Sequence, residues 1–125
     1  EGLRGVVVSV RGSYYAAKTF GRRLAPITVV FDPSFVREGI DGYQAHGKWG
    51  IERRDASSPL DIAGLKRVLC EAEAEVRGLT VAELEARGLM WGGPANLISS
   101  PQGKESVLTE EKVVALVRAH LLINR

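Results

Sequence analysis

The sequence predicts a single α+β domain, with a small amino-terminal sheet of two or three strands followed by three helices. Three observations carry that expectation. Two β-branched runs fall within the first 31 residues, capped amphipathic segments follow Ser58, and strands ahead of helices in the chain indicate an α+β arrangement. A chain of 125 residues suits one domain with one core.

Gly5-Val-Val-Val-Ser-Val10 is the first predicted strand, ended by Arg11-Gly12. Its unbroken valines predict burial on both faces, as in a central strand. Ile27-Thr-Val-Val-Phe31 is a second strand of the same kind, opened by Pro26 and closed by Asp32-Pro33. Asp32 is then expected to cap a short helical turn over residues 33–39, because proline suits the first helical position. A glycine-punctuated loop over 42–50 follows, with a third, thinner strand over 48–53.

Helical signals begin at Ser58, an expected N-cap with Pro59 in the first turn and Asp61 near the positive end of the dipole. Ile62, Leu65, Leu69, Ala72 and Val76 recur at helical spacing and predict one buried stripe. Gly78 supplies the left-handed stop. Thr80-Val-Ala-Glu83 is a capping box that opens a short second helix ending at Gly88. The third helix opens at Thr109, carries Glu110 and Glu111 in its first turn, and buries Val113, Leu116, Val117 and Leu121. His120, near its end, is expected to meet a backbone carbonyl or the dipole. The layout is therefore one domain, with a basic portion at 1–25 and a helical portion at 58–125.

Composition excludes several classes. Hydrophobic residues make up 45% and charged residues 26%, which describes a globular chain rather than a disordered one. No apolar run approaches the roughly 18 residues of a membrane span. One cysteine, Cys70, cannot close an intrachain disulfide, so a reduced cytoplasmic domain is expected. The chain starts at Glu1 rather than Met, as expected of a processed polypeptide, a trimmed chain or a domain cut from something longer, a viral polypeptide for instance.

The net charge of +2 hides an asymmetry. Residues 1–25 hold Arg4, Arg11, Lys18, Arg22 and Arg23 against Glu1 alone, a net +4, leaving −2 for the rest. Aromatic residues alternate with those cations, so Arg11, Tyr14, Tyr15, Lys18, Phe20, Arg22 and Arg23 form a candidate nucleic-acid surface. Cations bind phosphates, and aromatic faces stack on unpaired bases at roughly 1–3 kcal/mol each. A second cluster, Tyr43, His46, Lys48 and Trp49 among glycines, is a candidate ligand loop. Glycine admits close approach of backbone N–H groups, histidine can move a proton, and lysine can hold an anion. A phosphate-binding loop is excluded because Trp49, not serine or threonine, follows Lys48.

Catalytic signatures are thin. Asp32 with Glu52-Arg53-Arg54 matches a loose nuclease pattern, in which carboxylates hold a divalent metal beside a phosphate. Arginine stands where that pattern has lysine, and arginine does not give up a proton near neutrality. Zinc wants four Cys or His ligands, against Cys70, His46 and His120 in all. No serine-nucleophile elbow or dinucleotide fingerprint is present. Cys70, inside a helix beside its apolar stripe, is expected to act as a small hydrophobe. The helix pair around Gly78 has helix-turn-helix spacing, but Glu83 and Glu85 on the second helix would be repelled by DNA.

Gly5-Val-Val-Val-Ser-Val-Arg-Gly-Ser13 resembles the opening strand of the amino-terminal barrel of ATP synthase β subunits. The likeness spans nine residues, ends at Tyr14-Tyr15-Ala16, and implies a strand and turn alone. The expected function is a non-catalytic module that binds nucleic acid or a nucleic-acid-processing partner through the basic, aromatic segment. A protein-interaction or assembly domain, including a homo-oligomer, is the alternative, and a metal-dependent phosphodiesterase the third. No cofactor, resident metal or membrane contact is expected.

Overall fold

In the computed structural model, residues 7–12, 25–38, 42–101 and 104–122 are described, with the side chains of Val8, Arg37, Ala45 and His46 left aside. The elements run β1 (Val7–Arg11), β2 (Ile27–Glu38), β3 (Gln44–Arg53), α1 (Ile62–Arg77), α2 (Val81–Ala86), β4 (Leu97–Ser99) and α3 (Glu110–Ala119). The class is α+β, but the expected architecture needs correction. Four strands form one sheet in the order β1-β2-β3-β4, and β4 enters between α2 and α3. A three-residue strand with no alternation to read leaves almost no trace in a sequence, which is why the sheet looked confined to the amino end.

β1 pairs with β2 in parallel, a pairing that a tight hairpin cannot make, while β2–β3 and β3–β4 are antiparallel. Two further expectations fail in the sheet. Among the described strands β1 is an edge, not a centre, with Ser9 exposed and Val7 and Val10 half-buried. The segment after Phe31 is not a helical turn but the continuation of β2. Asp32 accepts from the backbone N–H of Ser34 at 3.0 Å and from its hydroxyl at 2.9 Å, which turns the chain locally. The register with β3 shifts between Asp32 and Val36, so Pro33, which has no N–H to give a ladder, sits inside that irregularity. The opposing strand β3 likewise starts at Gln44, inside the segment expected to be loop.

β2 is the strand buried on both faces: Ile27, Thr28, Val29 and Val30 are each no more than 1% exposed. Ahead of the register shift its odd-numbered residues, Ile27, Val29 and Phe31, face the helices. Across the sheet Ile27, Val29, Trp49, Ile51 and Ile98 join Leu65, Leu69, Leu84, Val113 and Val117 in one core. On the opposite face Val10 and Phe35 pack against Val30.

Helix α1 is capped by Asp61, whose carboxylate accepts from Gly64 N at 3.1 Å, and not by the expected Ser58. Leu60 instead forms a β-bridge with Leu121, and Asp61 N donates to His120 O, so the approach to α1 is held by the end of α3. The left-handed Gly78 and the Thr80–Glu83 capping box stand where the sequence placed them. The predicted stripe of α1 is one residue wrong: Val76 is 59% exposed, and Glu73 is fully buried in its place. His120 Nδ1 donates to Leu116 O at 2.8 Å.

Gly93 is demanded by a close approach. A Cβ there would press into the carbonyl oxygen of Leu97, which is backbone and cannot swing aside. Gly93→Ala is therefore expected to destabilise the fold by about 1–3 kcal/mol, as overpacking does. A urea-denaturation midpoint lowered at unchanged slope would register this, and an unchanged midpoint would show that the 93–97 turn relaxes freely.

Candidate functional site

The pairing register builds a row straight across three strands. Arg11 of β1 is opposite Phe31 of β2, and Phe31 is opposite Trp49 of β3, so all three side chains point to the helix-bearing face. The Phe31 and Trp49 rings tilt against each other at 4.6 Å between centroids. The guanidinium of Arg11 lies 4.9 Å above the Phe31 ring and donates to Glu110 Oε1 at 2.9 Å. Both partners of that ion pair are about half exposed, so it contributes only about 0.2–1 kcal/mol.

Opposite the row stands the segment that leads into α3. Together they enclose a pocket of about 210 Å³, lined by Arg11, Phe31, Gly47 and Trp49 on the sheet side and Glu105, Ser106, Leu108 and Glu110 on the other. Gly47 has φ of 91°, a left-handed conformation, and a Cβ there would lie 3.6 Å from the Phe31 ring. Just outside the pocket Tyr43 donates its hydroxyl to Glu105 Oε1 at 2.7 Å, with Lys104 Nζ 5.5 Å from the Tyr43 ring centre.

The wall is held from beneath by Glu73. Its carboxylate accepts four hydrogen bonds: from Trp91 Nε1 at 2.9 Å, Ser106 Oγ at 2.6 Å, Val107 N at 3.0 Å and Arg77 Nε at 2.8 Å. Arg77 also donates to Glu105 O at 2.6 Å. Every acceptor direction of this buried anion is thereby used, and residues 105–107 are tied to the end of α1.

Of the candidates read from the sequence, Arg11 lies on the pocket rim, while Tyr14, Tyr15, Lys18, Phe20, Arg22 and Arg23 lie outside the described residues. The second cluster is strand rather than loop, and alternation divides it. Trp49 faces the pocket and core, whereas Lys48 faces away, its ammonium 4.9 Å from the Phe35 ring centre. Tyr43 lies just before β3, and His46 pairs with Val36 in the ladder, its side chain outside the described residues. Asp32 is opposite Lys48 and Glu52 is opposite Thr28, four residues apart along the ladder and so about 13 Å apart. They do not form one metal site, and among the described residues no three His, Cys, Asp or Glu side chains gather to hold a metal ion. No described helix is long and apolar enough to cross a membrane.

Cys70 is buried, 3.4 Å from Trp91 O, and burial pushes its thiol above the ordinary range. It backs a second concavity of about 290 Å³ beside α1, with Met90, Trp91 and Val81 as apolar lining and Lys66, Arg67 and Glu71 at the edge. Sequence reasoning missed Phe31, Glu73, Glu105, Ser106 and Glu110 as site residues. Only Glu73 had a readable signal: it falls four residues after Leu69 and eight after Leu65, on the apolar stripe. Compared with known proteins, the chain matches no family model, no curated protein and no solved structure.

Two outcomes are expected of this geometry. Glu73→Gln leaves the Arg77 guanidinium and the Val107 N–H facing an amide, and should cost about 3–5 kcal/mol, as breaking a buried pair does. Chemical denaturation measures that loss, and a loss below 1 kcal/mol would show that the network is dispensable. The Tyr43 phenol is held above its ordinary value of 10.0 chiefly by its hydrogen bond to Glu105. A raised pKa means that the bond contributes below the ordinary value and is lost as pH rises through the raised one. An ultraviolet titration should place the Tyr43 step, identified by its absence in Tyr43→Phe, above that of free tyrosine. In Glu105→Gln the step should fall back.

Proposed function

We propose that this domain is a non-catalytic binding module that engages a protein partner at the pocket between the Arg11–Phe31–Trp49 row and the segment before α3. The observation that carries this reading is the make-up of that pocket. It combines an aromatic floor, an arginine and carboxylates on the rim, and a wall held rigid by the Glu73 network. Aromatic residues and arginine are the types that anchor protein interfaces, and a pre-organised wall lowers the ordering cost of binding.

Nucleic acid is the second reading, favoured by the net +4 of residues 1–25 and the aromatic residues among those cations. At the pocket itself Glu105 and Glu110 oppose a phosphate backbone, and the one described cation of that segment, Arg11, is paired with Glu110. A phosphodiesterase finds no support in the separated positions of Asp32 and Glu52.

Panning a displayed library of short random peptides against the wild-type chain, with counter-selection on Phe31→Ala, tests the protein reading. Binders that require Phe31 are expected. In parallel, labelled single- and double-stranded oligonucleotides are titrated by fluorescence anisotropy at low and near-physiological salt. An absence of peptide binders, together with oligonucleotide binding that weakens steeply with salt and drops when Arg22 and Arg23 become Ala, would overturn the protein reading in favour of nucleic acid.

A further inference from the structure

We infer that the concavity beside α1, backed by Cys70 and Trp91, is a binding site for a small organic acid with an aromatic body and one carboxylate. It shares no described lining residue with the pocket at the Arg11–Phe31–Trp49 row and stands independently of the partner reading there.

One face of α1 forms the first wall, with Ala63, Lys66, Arg67, Cys70 and Glu71 at helical spacing. Met90 and Trp91, with Val81 from the start of α2, form the other, and about 290 Å³ lies between. That is at the small end of the roughly 300–1,000 Å³ of small-molecule sites. Three bonds tie the walls together. Trp91 Nε1 donates to Glu73 Oε1 at 2.9 Å, Cys70 Sγ to Trp91 O at 3.4 Å, and Lys66 Nζ to Gly93 O at 3.2 Å. Gly92 is in turn bridged to Ser99 of β4, so the second wall is anchored to the sheet as well as to α1. A cavity held in this way exists before a ligand arrives, which lowers the ordering cost of binding.

The lining selects the body of the ligand. Burial keeps Cys70 a neutral thiol, while Met90 and Trp91 contribute a thioether and an indole. Sulfur and aromatic groups favour a flat, polarisable ring over a polar body. A free acid also brings no polar backbone to this apolar lining, so a small molecule suits it better than a peptide.

The rim selects the head group. Among the described residues Lys66 Nζ makes one hydrogen bond, to the neutral carbonyl of Gly93, which leaves two of its three donors for a ligand. Arg67 meets Glu71 at 3.4 Å with both side chains more than half exposed, a weak pairing from which Arg67 can turn. A carboxylate at the opening therefore gains charge-assisted hydrogen bonds from Lys66, with Arg67 one turn of backbone rotation away on the same helix face. An ammonium group would meet those two cations, and Glu71, the carboxylate of the described lining, is already engaged with Arg67.

Met90 is the single methionine of the chain, so its methyl resonance reports on this concavity without ambiguity. The full chain, isotope-labelled at the methionine methyl, is titrated with phenylacetate and followed by NMR. Phenylacetamide, phenethylamine and a blocked Glu-Phe-Glu peptide run as separate arms. The Trp49 indole reports on the other pocket. The Trp91 indole, bonded to Glu73, shows in each ligand-free variant that the fold is intact.

Phenylacetate is expected to shift the Met90 methyl saturably and to leave Trp49 in place. The amide should bind about tenfold more weakly, and Lys66→Met should weaken phenylacetate to the same degree, as loss of a charge-assisted hydrogen bond does. Ala63→Phe, which adds a ring at the opening from an exposed position on α1, should abolish the shift while the chain stays folded. Equal binding of acid and amide, or tighter binding of phenethylamine, would overturn the carboxylate head group and with it the proposal. A Met90 methyl that responds to the peptide alone would overturn it in favour of a partner polypeptide, and one that responds to nothing would overturn it outright. Binding that requires Phe31 at the other pocket is read by the peptide selection and is untouched by these outcomes.

Discussion

A single buried carboxylate sets the geometry of this molecule. Glu73 is inaccessible to solvent in the fourth turn of α1, and an anion placed there unaided would cost several kcal/mol in lost hydration. It is tolerated because four donors converge on it, one of them the guanidinium of Arg77 one turn along the same helix. Those donors come from three parts of the chain: α1 itself, Trp91 in the segment after α2, and residues 106–107 ahead of α3. The stretch between β4 and α3 has no ladder of its own, so these bonds fix where it runs. The pocket wall, the Tyr43–Glu105 hydrogen bond and the start of α3 all inherit their positions from that stretch.

What the sequence made legible follows from how local each signal is. The Thr80–Glu83 capping box, the Gly78 stop and the stripe of Leu65, Leu69 and Ala72 depend on residues within one or two helical turns, and they are found where they were read. The start of α1 moved to Asp61 because the competing contact is distant: Leu60 pairs with Leu121, some sixty residues away, and holds residues 58–60 out of the helix. β2 and β3 were cut short because Pro33 and Gly47 normally punctuate strands. Here a register shift absorbs the proline, and a left-handed glycine packs against Phe31 inside a continuing ladder. β1 was mistaken for a central strand because a valine run reports apolar character but not sheet order. That order is set by partners far along the chain.

The site was legible in part for the same reason. Arg11 drew notice through charge and Trp49 through its setting of glycines, yet their meeting depends on pairing registers that no local pattern contains. Phe31 looked like the end of a buried strand, and it is at once core and pocket floor. Glu110 was read only as an acid in the first turn of α3, where it does stand, and Glu105 was not singled out. Strand alternation, conversely, separates Lys48 from Trp49, although the two are adjacent in sequence and looked like one cluster.

Arg11 lines the pocket and also belongs, in sequence, to the cationic amino-terminal segment. β1 runs towards the pocket and ends there at Arg11, which is bonded to Glu110. Electrostatics at that junction is short-ranged: at physiological salt exposed charges are screened over about 8 Å. Glu110, 2.9 Å from Arg11, lies well inside that distance. The described lining of the pocket brings together Arg11, carboxylates and two aromatic rings. The shape of the pocket is set by the fold itself, because its wall is anchored to Glu73.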